Sequence, residues 1–538
     1  MVQSNTQINK QTQAKHRWWV LTAVCFGLFM SLLDVTIVNV ALPVIQHDLN
    51  ASFASIEWVI SAYTLVFAVA LVTASRLGDI YGRKTLFIIG LGIFTIGSLF
   101  CGLSSYFTLF GWSHSQTLNI FRGVQGLGGS AMMPLSLAII STSFVGKQRG
   151  IAIGIWGGVS GLATAIGPLI GGFLVDALNW QSIFYLNVPV GLLGIAISLW
   201  AIPQSRDESA AGKIDVFGLI TFTAFMFCTI YGLIRVNESG MGWTSPTIIW
   251  LGAIAAVSLI VFIIGESRIK NPMIDPRLFK VPSFTGAGVA GFCLSAGMYA
   301  LFLYISLYFQ NILGYDAFDA GLRLLPFCVL SLMLGPVAGA LMAKVQPKWL
   351  AVAGLLFLGA GVWMMGGVSA SDKAADWVIL VPGLMIAGFG NGIVNPPISN
   401  LAVGTVARQR SGMASGANGV LRQMGIAFGT AIFGAVLSNR YAAVLDDKIT
   451  ALNAPYLTAA MKQKISDGLV KAGPLAGSSG FKDASSSFQH NPLFGSLRQI
   501  GREAFMNGTV TVIHIASIIL FIGALCSLLL IRQKDMKH

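Results

Sequence analysis

Charge is what this sequence has least of. Only 10% of its 538 residues are Asp, Glu, Lys or Arg, against 55% that are hydrophobic. A soluble domain carries about 25% charged residues, so a water-soluble globule is excluded and a multi-pass membrane protein is implied. Cysteine is scarce too. The six present (Cys25, Cys101, Cys228, Cys293, Cys328, Cys526) all fall in apolar runs, and none forms a C-x-x-C pair. That leaves no disulfide framework and no zinc or other metal site. The chain also lacks a G-x-x-x-x-G-K-[ST] phosphate loop, an H-E-x-x-H pair and a Ser elbow. An ATP-driven pump or a hydrolase therefore misses its working parts, and no enzyme activity is expected.

What the chain has is long apolar stretches. Taking about 20 residues as one membrane crossing, there are roughly fourteen such runs: 18–41, 55–77, 85–104, 117–141, 150–174, 182–202, 216–236, 247–266, 283–310, 319–343, 350–369, 377–401, 412–438 and 509–531. The first is too long for a signal-peptide core and is expected to be an uncleaved span. The net charge of +13 invites a nucleic-acid reading, but the positions of the charges oppose it. Arg83 and Lys84, Lys147 and Arg149, Arg206 and Lys213, Arg268 to Lys280, Lys344 and Lys348, and Arg408 and Arg410 occupy alternate short loops. The intervening short loops hold almost none, Lys373 excepted. This asymmetry places both termini in the cytoplasm. Segment 439–508 carries basic residues yet falls outside, as loops of that length can.

The chain repeats itself. "GVQGLGGSAMMP" from Gly123 and "MIAGFGNGIVNP" from Met385 share Gly-x-Gly and a proline at one spacing, and Gly126 and Gly388 differ by 388 − 126 = 262. "RGIAIG" from Arg149 and "SGMASG" from Ser411 keep that offset, while Gln46 and Gln310 are 264 apart. The expected fold is all-α: two pseudo-symmetric six-helix bundles plus two inserted helices. The divisions are a tail at 1–17, a first bundle at 18–202, an inserted linker at 203–282, a second bundle at 283–531 that includes extracytoplasmic 439–508, and a tail at 532–538. Two related bundles imply a central site reached alternately from each side.

"SLLDVTIVNVALP" puts Asp34 inside the first apolar run. A carboxylate there costs about 2.5–3.5 kcal/mol on insertion scales, so a role and a partner are expected. Arginine stays protonated in proteins, and Arg122 of "RGVQG" in the fourth run is the matching cation. Weaker candidates are Gln125, Asn187, Asn391, Asn395, Arg422 and Gln423. All six are candidate cavity-lining residues, and Asn391, Asn395, Arg422 and Gln423 read equally as interhelical hydrogen-bond partners. Glu57 and Arg323 sit near helix ends and read as wetted; His514 reads as packed.

Several motifs carry a resemblance. "SRLGDIYGRKTLF" is similar to the cytoplasmic loop G-x-L-x-D-r-x-G-R-K of the major facilitator superfamily, with Leu77, Asp79, Gly82, Arg83 and Lys84 in place, Ser75 for the first glycine and Ile80 for a basic residue. "GLATAIGPLIGG" resembles the antiporter motif of exporters in that superfamily through Gly161, Gly167, Pro168, Gly171 and Gly172. The first-run pattern with Asp34, Thr36, Asn39 and Pro43, and "NWQSIFYLNVP" with Trp180, Phe184, Asn187 and Pro189, resemble the fourteen-helix drug/proton antiporter branch; Gln181 and Ser182 depart from it. The resemblance covers nearly the whole chain outside 439–508. It implies a proton-coupled exporter of small amphipathic compounds in a bacterial cytoplasmic membrane. Asp34 would carry the proton beside Arg122, with Asn39 lining the cavity and Asp79, Gly82, Arg83 and Lys84 forming a cytoplasmic gate. No cofactor is implied beyond the proton gradient, and the partners are substrates, protons and membrane lipid, with the chain as a monomer and no nucleic acid. Two alternatives stay open. One is a lipid or cell-envelope precursor transporter, kept alive by the amphipathic "YLTAAMKQKISDGLVKAG" within 439–508. The other is a signalling or scaffold protein, which would leave Asp34 and Arg122 without purpose.

Overall fold

The computed structural model describes residues 2–49, 51, 53–206, 215–236, 242–269, 272–406, 411–452, 457–479, 492–532 and 535. Among them there is no strand. The first half comprises α1 (Val2–Asp48), α2 (Phe53–Tyr81), α3 (Arg83–Leu103), α4 (His114–Ser143), α5 (Gly146–Ala177), α6 (Ser182–Tyr185) and α7 (Asn187–Ala201). An inserted hairpin follows, α8 (Val216–Arg235) and α9 (Pro246–Glu266). The second half comprises α10 (Pro282–Leu294), α11 (Leu301–Leu307), α12 (Ala317–Arg323), α13 (Leu325–Leu341), α14 (Pro347–Met364), α15 (Val381–Gly404), α16 (Ser411–Thr450), α17 (Ala459–Ser479) and α18 (Pro492–Leu530). Twelve described helical stretches are long and apolar enough to cross a membrane, thirteen with α5, which bends by 40° between 148–163 and 166–177. The tenth apolar run is divided at Leu324 into α12 and the 17-residue α13.

Local chemistry sets these boundaries. Ser113 closes a capping box with Gln116 at the start of α4, and Asp215 accepts the Gly218 amide at the start of α8. Pro246, Pro282 and Pro347 each take the first helical position, where no backbone donor is needed. Gly82 separates α2 from α3 at φ 111°, a conformation that a side chain would strain.

The repeat is architectural. In the first half α4 packs on α2 and α3; in the second, α15 packs on α13 and α14. The repeated glycines make those contacts. A Cβ on Gly126 would lie 2.5 Å from the Tyr63 carbonyl oxygen of α2, and one on Gly128 would strike Gly90 and Phe94 of α3. Gly388 stands likewise against Phe327 of α13, and Gly390 against Gly354 and Leu358 of α14. The halves meet along two seams, α5 with α13 and α2 with α16. Gly150 and Gly154 lie backbone to backbone on Gly339 and Gly335, while Gly412 and Gly416 lie on Asp79 and Ser75. The offset is again 412 − 150 = 416 − 154 = 262, so one glycine pattern builds both seams. Gly154→Val should lower the thermal stability of the detergent-solubilised protein, because overpacking costs about 1–3 kcal/mol. Gly92, with nothing within 4 Å of its Cβ position, provides the control: Gly92→Val should melt close to wild type.

Of the inserted pair, α8 packs against α2 and α16, over the seam. α9 packs on α8 and turns Trp250, Ile254, Val257 and Ile260 outward. The hairpin shields one seam and leaves an apolar face for lipid.

The described parts of segment 439–508 are mostly helix and continue the bundle. α16 runs on to Thr450, α18 begins at Pro492, and α17 packs against both. Tyr441, Leu445 and Ile449 are buried, four residues apart on one face of α16. Lys448 pairs with Glu503 across the two long helices. Lys462 donates to the carbonyls of Thr450 (2.9 Å) and Leu452 (2.6 Å), satisfying the end of α16. Most of the glycine- and serine-rich stretch "GPLAGSSGFKDASSS" lies outside the described residues. Gln463→Cys, on the exposed side of α17, should be labelled by a membrane-impermeant maleimide in intact cells. Labelling confined to inverted vesicles would reverse the orientation read from the basic loops.

Candidate functional site

Asp34 lies wholly within the first half, at 0% exposure. Its Oδ2 accepts from Arg122 Nη1 of α4 in a short ion pair. Its Oδ1 accepts from Gln125 Nε2 at 2.7 Å and from Asn187 Nδ2 of α7 at 3.2 Å. Arg122 donates further to the Val59 carbonyl (2.9 Å) and to Gln125 Oε1 (2.6 Å), and its guanidinium stands 4.5 Å over the Tyr63 ring. Asn187 also reaches Ser98 Oγ at 3.0 Å, and Ser98 donates to the Phe184 carbonyl. Three donors converge on two acceptor oxygens. That matches an ionised carboxylate, which accepts only. Such a cluster is costly to assemble and costlier to break: removing one partner of a buried pair typically loses about 3–5 kcal/mol.

The helix beside Asp34 connects it to the other half. α5 grips α1 through Gly167, which abuts Thr36, and Gly171, whose Cβ would lie 2.9 Å from Ile37. On its other side Gly161 faces Ser331 of α13, and Gly172 faces Phe318 of α12. Pro168 interrupts the hydrogen-bond ladder inside α5, beside its bend. α5 therefore touches both the turn of α1 that carries Asp34 and the α12–α13 face of the second half.

The residues expected to form a gate lie beside the seam, at the end of the molecule that bears the basic loops. Arg83 binds Asp79 Oδ1 through Nε (2.9 Å) and Nη2 (2.6 Å), and both side chains are buried. The Asp79 carboxylate abuts Gly412 in the first turn of α16, where a helix N-terminus favours an anion. Ser75, in the place of the usual glycine, donates to the Gly412 carbonyl at 2.5 Å. Gly82 lets the chain turn, and Lys84 donates to the Leu199 carbonyl (2.7 Å) near the end of α7. Arg149, legible in the sequence only as a basic-loop residue, crosses to Asn400 of α15 at 2.7 Å. The corresponding stretch of the second half has Gly339 and Leu341 but Ala343 where an acid would stand, so it carries no counterpart of Asp79.

The remaining candidates divide. Arg422 donates to Asn395 Oδ1 (3.1 Å), Asn395 to Asn391 (3.0 Å) and Asn391 to Ser331 Oγ (2.7 Å), a line of amides in the second half. Arg422 also lines a small cavity between the halves; Gln423, its half-buried neighbour, does not. Asn391 and Asn395 act as interhelical partners. The side chains of Asn39 and Glu57 lie outside the described residues. Arg323 pairs with Asp319 and stacks 3.4 Å from the Tyr315 ring centroid, and His514 is packed against Trp363. Tyr63, Ser98 and Asn418 enter the polar clusters without having stood out in the sequence, because uncharged residues at single positions carry no spacing signal.

The Major Facilitator Superfamily profile matches residues 24–430. The chain belongs to that superfamily. It is 30% identical over 515 residues to the tetracenomycin C resistance and export protein of Streptomyces glaucescens, covering 95% of this chain and 91% of that one. It is 35% identical over 428 residues to the multidrug resistance protein Stp of Mycobacterium tuberculosis, covering 79% and 77%. The fold is similar to that of the proton:xylose symporter XylE, with a TM-score of 0.58 at 12% identity over 86% of this chain and 95% of that chain. The molecule is thus a multi-pass membrane transporter of small molecules and not an enzyme.

Proposed function

We propose that the chain is a proton-coupled antiporter that exports amphipathic or hydrophobic compounds across the bacterial cytoplasmic membrane by alternating access. The observation that carries this is the Asp34 cluster: one carboxylate, fully buried, whose only ion-pair partner among the described residues is Arg122. In the conformation described, Asp79 abuts Gly412 of α16, so the seam is closed at the end the basic loops assign to the cytoplasm. Rocking of the second half would move α5 against α1 and change the spacing of Asp34 and Arg122. With the guanidinium withdrawn, the carboxylate is left buried without its counter-charge and takes up a proton; on return, the proton is displaced. Two faces of the membrane thereby load and unload one site.

The energy is adequate. One charge crossing 100 mV is worth about 2.3 kcal/mol, enough for roughly a fiftyfold gradient of a neutral substrate. A monovalent cation exchanged for one proton is electroneutral and draws on the pH difference alone. The relatives named above are called resistance and export proteins, which favours drug-like compounds over envelope precursors. The test is a substrate panel in proteoliposomes with an imposed pH gradient. Gradient-dependent efflux of several unrelated amphipaths is expected; transport that ignores the gradient would overturn the coupling.

A further inference from the structure

Between the halves lies a cavity with room for about one water molecule in this closed conformation. Its two walls differ in kind. The first half contributes Leu71 of α2, Met133 and Leu137 of α4, and Trp156 of α5. Trp156 directs its indole N–H to Ser136 Oγ at 2.8 Å, so its donor is engaged within its own half. The second half contributes a polar strip from α16. Asn418 and Arg422 stand one turn apart, above the bare backbone of Gly291; a Cβ there would lie 3.3 Å from both Asn418 Oδ1 and Arg422 Cγ. Ser415, a turn earlier, donates to the Pro134 carbonyl (3.0 Å) and joins the two walls.

Two observations give the strip a chemistry. The lining carries one formal charge, the guanidinium of Arg422, on a side chain only 5% exposed. Asn418, 4% exposed, holds its Oδ1 buried with no hydrogen-bond partner. A buried acceptor left unmade is costly, so a ligand donor placed beside this oxygen would be favoured. The site also lies apart from the proton site. Arg122 and Met133 are eleven residues apart on α4, about 16 Å at the rise of an α-helix.

Resting on the antiporter reading above, we propose that this chamber selects aromatic amphipaths bearing an acidic oxygen, a carboxylate or a phenolate. The ring body lies on the Leu71, Met133 and Trp156 wall, the anionic oxygen meets Arg422, and a neighbouring hydroxyl or N–H satisfies Asn418. Arg422 is a binding residue. Its amide line through Asn395 and Asn391 to Ser331 presents a carbonyl oxygen to the guanidinium and fixes its direction. In a desolvated chamber an organic cation meets like charge and an anion meets opposite charge.

The test uses the full chain in detergent and three anthracene probes of one shape: 9-anthroate (anion), 9-anthracenemethanol (neutral) and 9-anthracenemethylammonium (cation). The wild type should bind 9-anthroate at least about tenfold more tightly than the cation, the scale of one charge-assisted hydrogen bond. Arg422→Gln should erase that preference and leave the neutral probe within about twofold, and Arg422→Lys should restore part of it. Asn418→Leu should lower affinity for a hydroxy-substituted anthroate without affecting anthroate itself. Equal affinity for the three probes, or an unchanged preference in Arg422→Gln, overturns the proposal. Gradient-driven efflux is measured in parallel on the same protein. If efflux persists while the anion preference is missing, this inference alone fails; if no compound moves with the gradient, the antiporter reading fails as well.

Discussion

Asp34→Asn should reduce pH-gradient-driven efflux to the protein-free background, a loss of at least about a hundredfold. Asparagine has nearly the size of aspartate, so α1 keeps its packing, but the side chain no longer takes or yields a proton. The cluster also loses internal agreement. Oδ1 accepts from both Gln125 and Asn187, and Oδ2 from Arg122. Whichever position the new NH2 takes, one donor faces another, at a cost of about 1–3 kcal/mol. Arg122, still buried, loses its counter-charge, which raises the loss toward about 3–5 kcal/mol. It keeps its bonds to the Val59 carbonyl and to Gln125, so the fold should survive with a lower melting temperature. The double variant Asp34→Asn with Arg122→Gln removes both charges. It should recover most of the lost stability and none of the transport. That separation is what identifies a carrier. If transport returned with stability, Asp34 would be a structural residue and the energy source would lie elsewhere. Counterflow of labelled substrate, which needs alternating access but no proton, should persist in the single variant.

Why was this pair legible in the sequence, and much of the rest not? A charge in an apolar run is expensive and rare, so Asp34 and Arg122 announce themselves. The repeat makes their singularity visible too: at the offsets above, 34 + 264 = 298 is Met298 and 122 + 262 = 384 is Leu384. The second half has no copy of the proton site. The seams were also half written in the sequence, since "RGIAIG" and "SGMASG" place Gly150, Gly154, Gly412 and Gly416 at the four close approaches. What they approach was not, because a glycine does not say which neighbour it admits. Asn418 and Ser415 gave no signal, being small polar residues in a helix. The sixteenth helix was underestimated for a different reason. Hydropathy falls after residue 438, but the stripe of Tyr441, Leu445 and Ile449 keeps helical spacing, and its burial comes from α17 and α18 instead of lipid. Amphipathic periodicity, and not mean hydropathy, was the readable quantity there.

Asp79→Asn should open the latch and shift the protein toward the conformation in which the cytoplasmic end is apart. The carboxylate does three things at once. It neutralises Arg83, which is 1% exposed; it receives two of that guanidinium's donors; and it abuts the first turn of α16 at Gly412. The first two interactions lie within the first half and persist whichever way the halves rock. The third spans the seam and exists only when the seam is closed, so it alone biases the conformational equilibrium. An anion at a helix N-terminus in a partly buried setting is worth up to about 2 kcal/mol, which corresponds to roughly a thirtyfold change in the ratio of closed to open forms. Ser75 still donates to the Gly412 carbonyl and Arg149 still reaches Asn400, so the seam is weakened and not abolished. The pair Leu71→Cys and Gly419→Cys, in contact across α2 and α16, gives the measurement: crosslinking by a short bifunctional thiol reagent should fall severalfold in Asp79→Asn. Asp79→Glu should not rescue it, because the added methylene has no space against Gly412, where even a Cβ would collide with the existing carboxylate. Crosslinking at the wild-type level in Asp79→Asn would mean that glycine packing, and not the carboxylate, holds the seam shut, and Gly416→Val would then be the substitution that opens it.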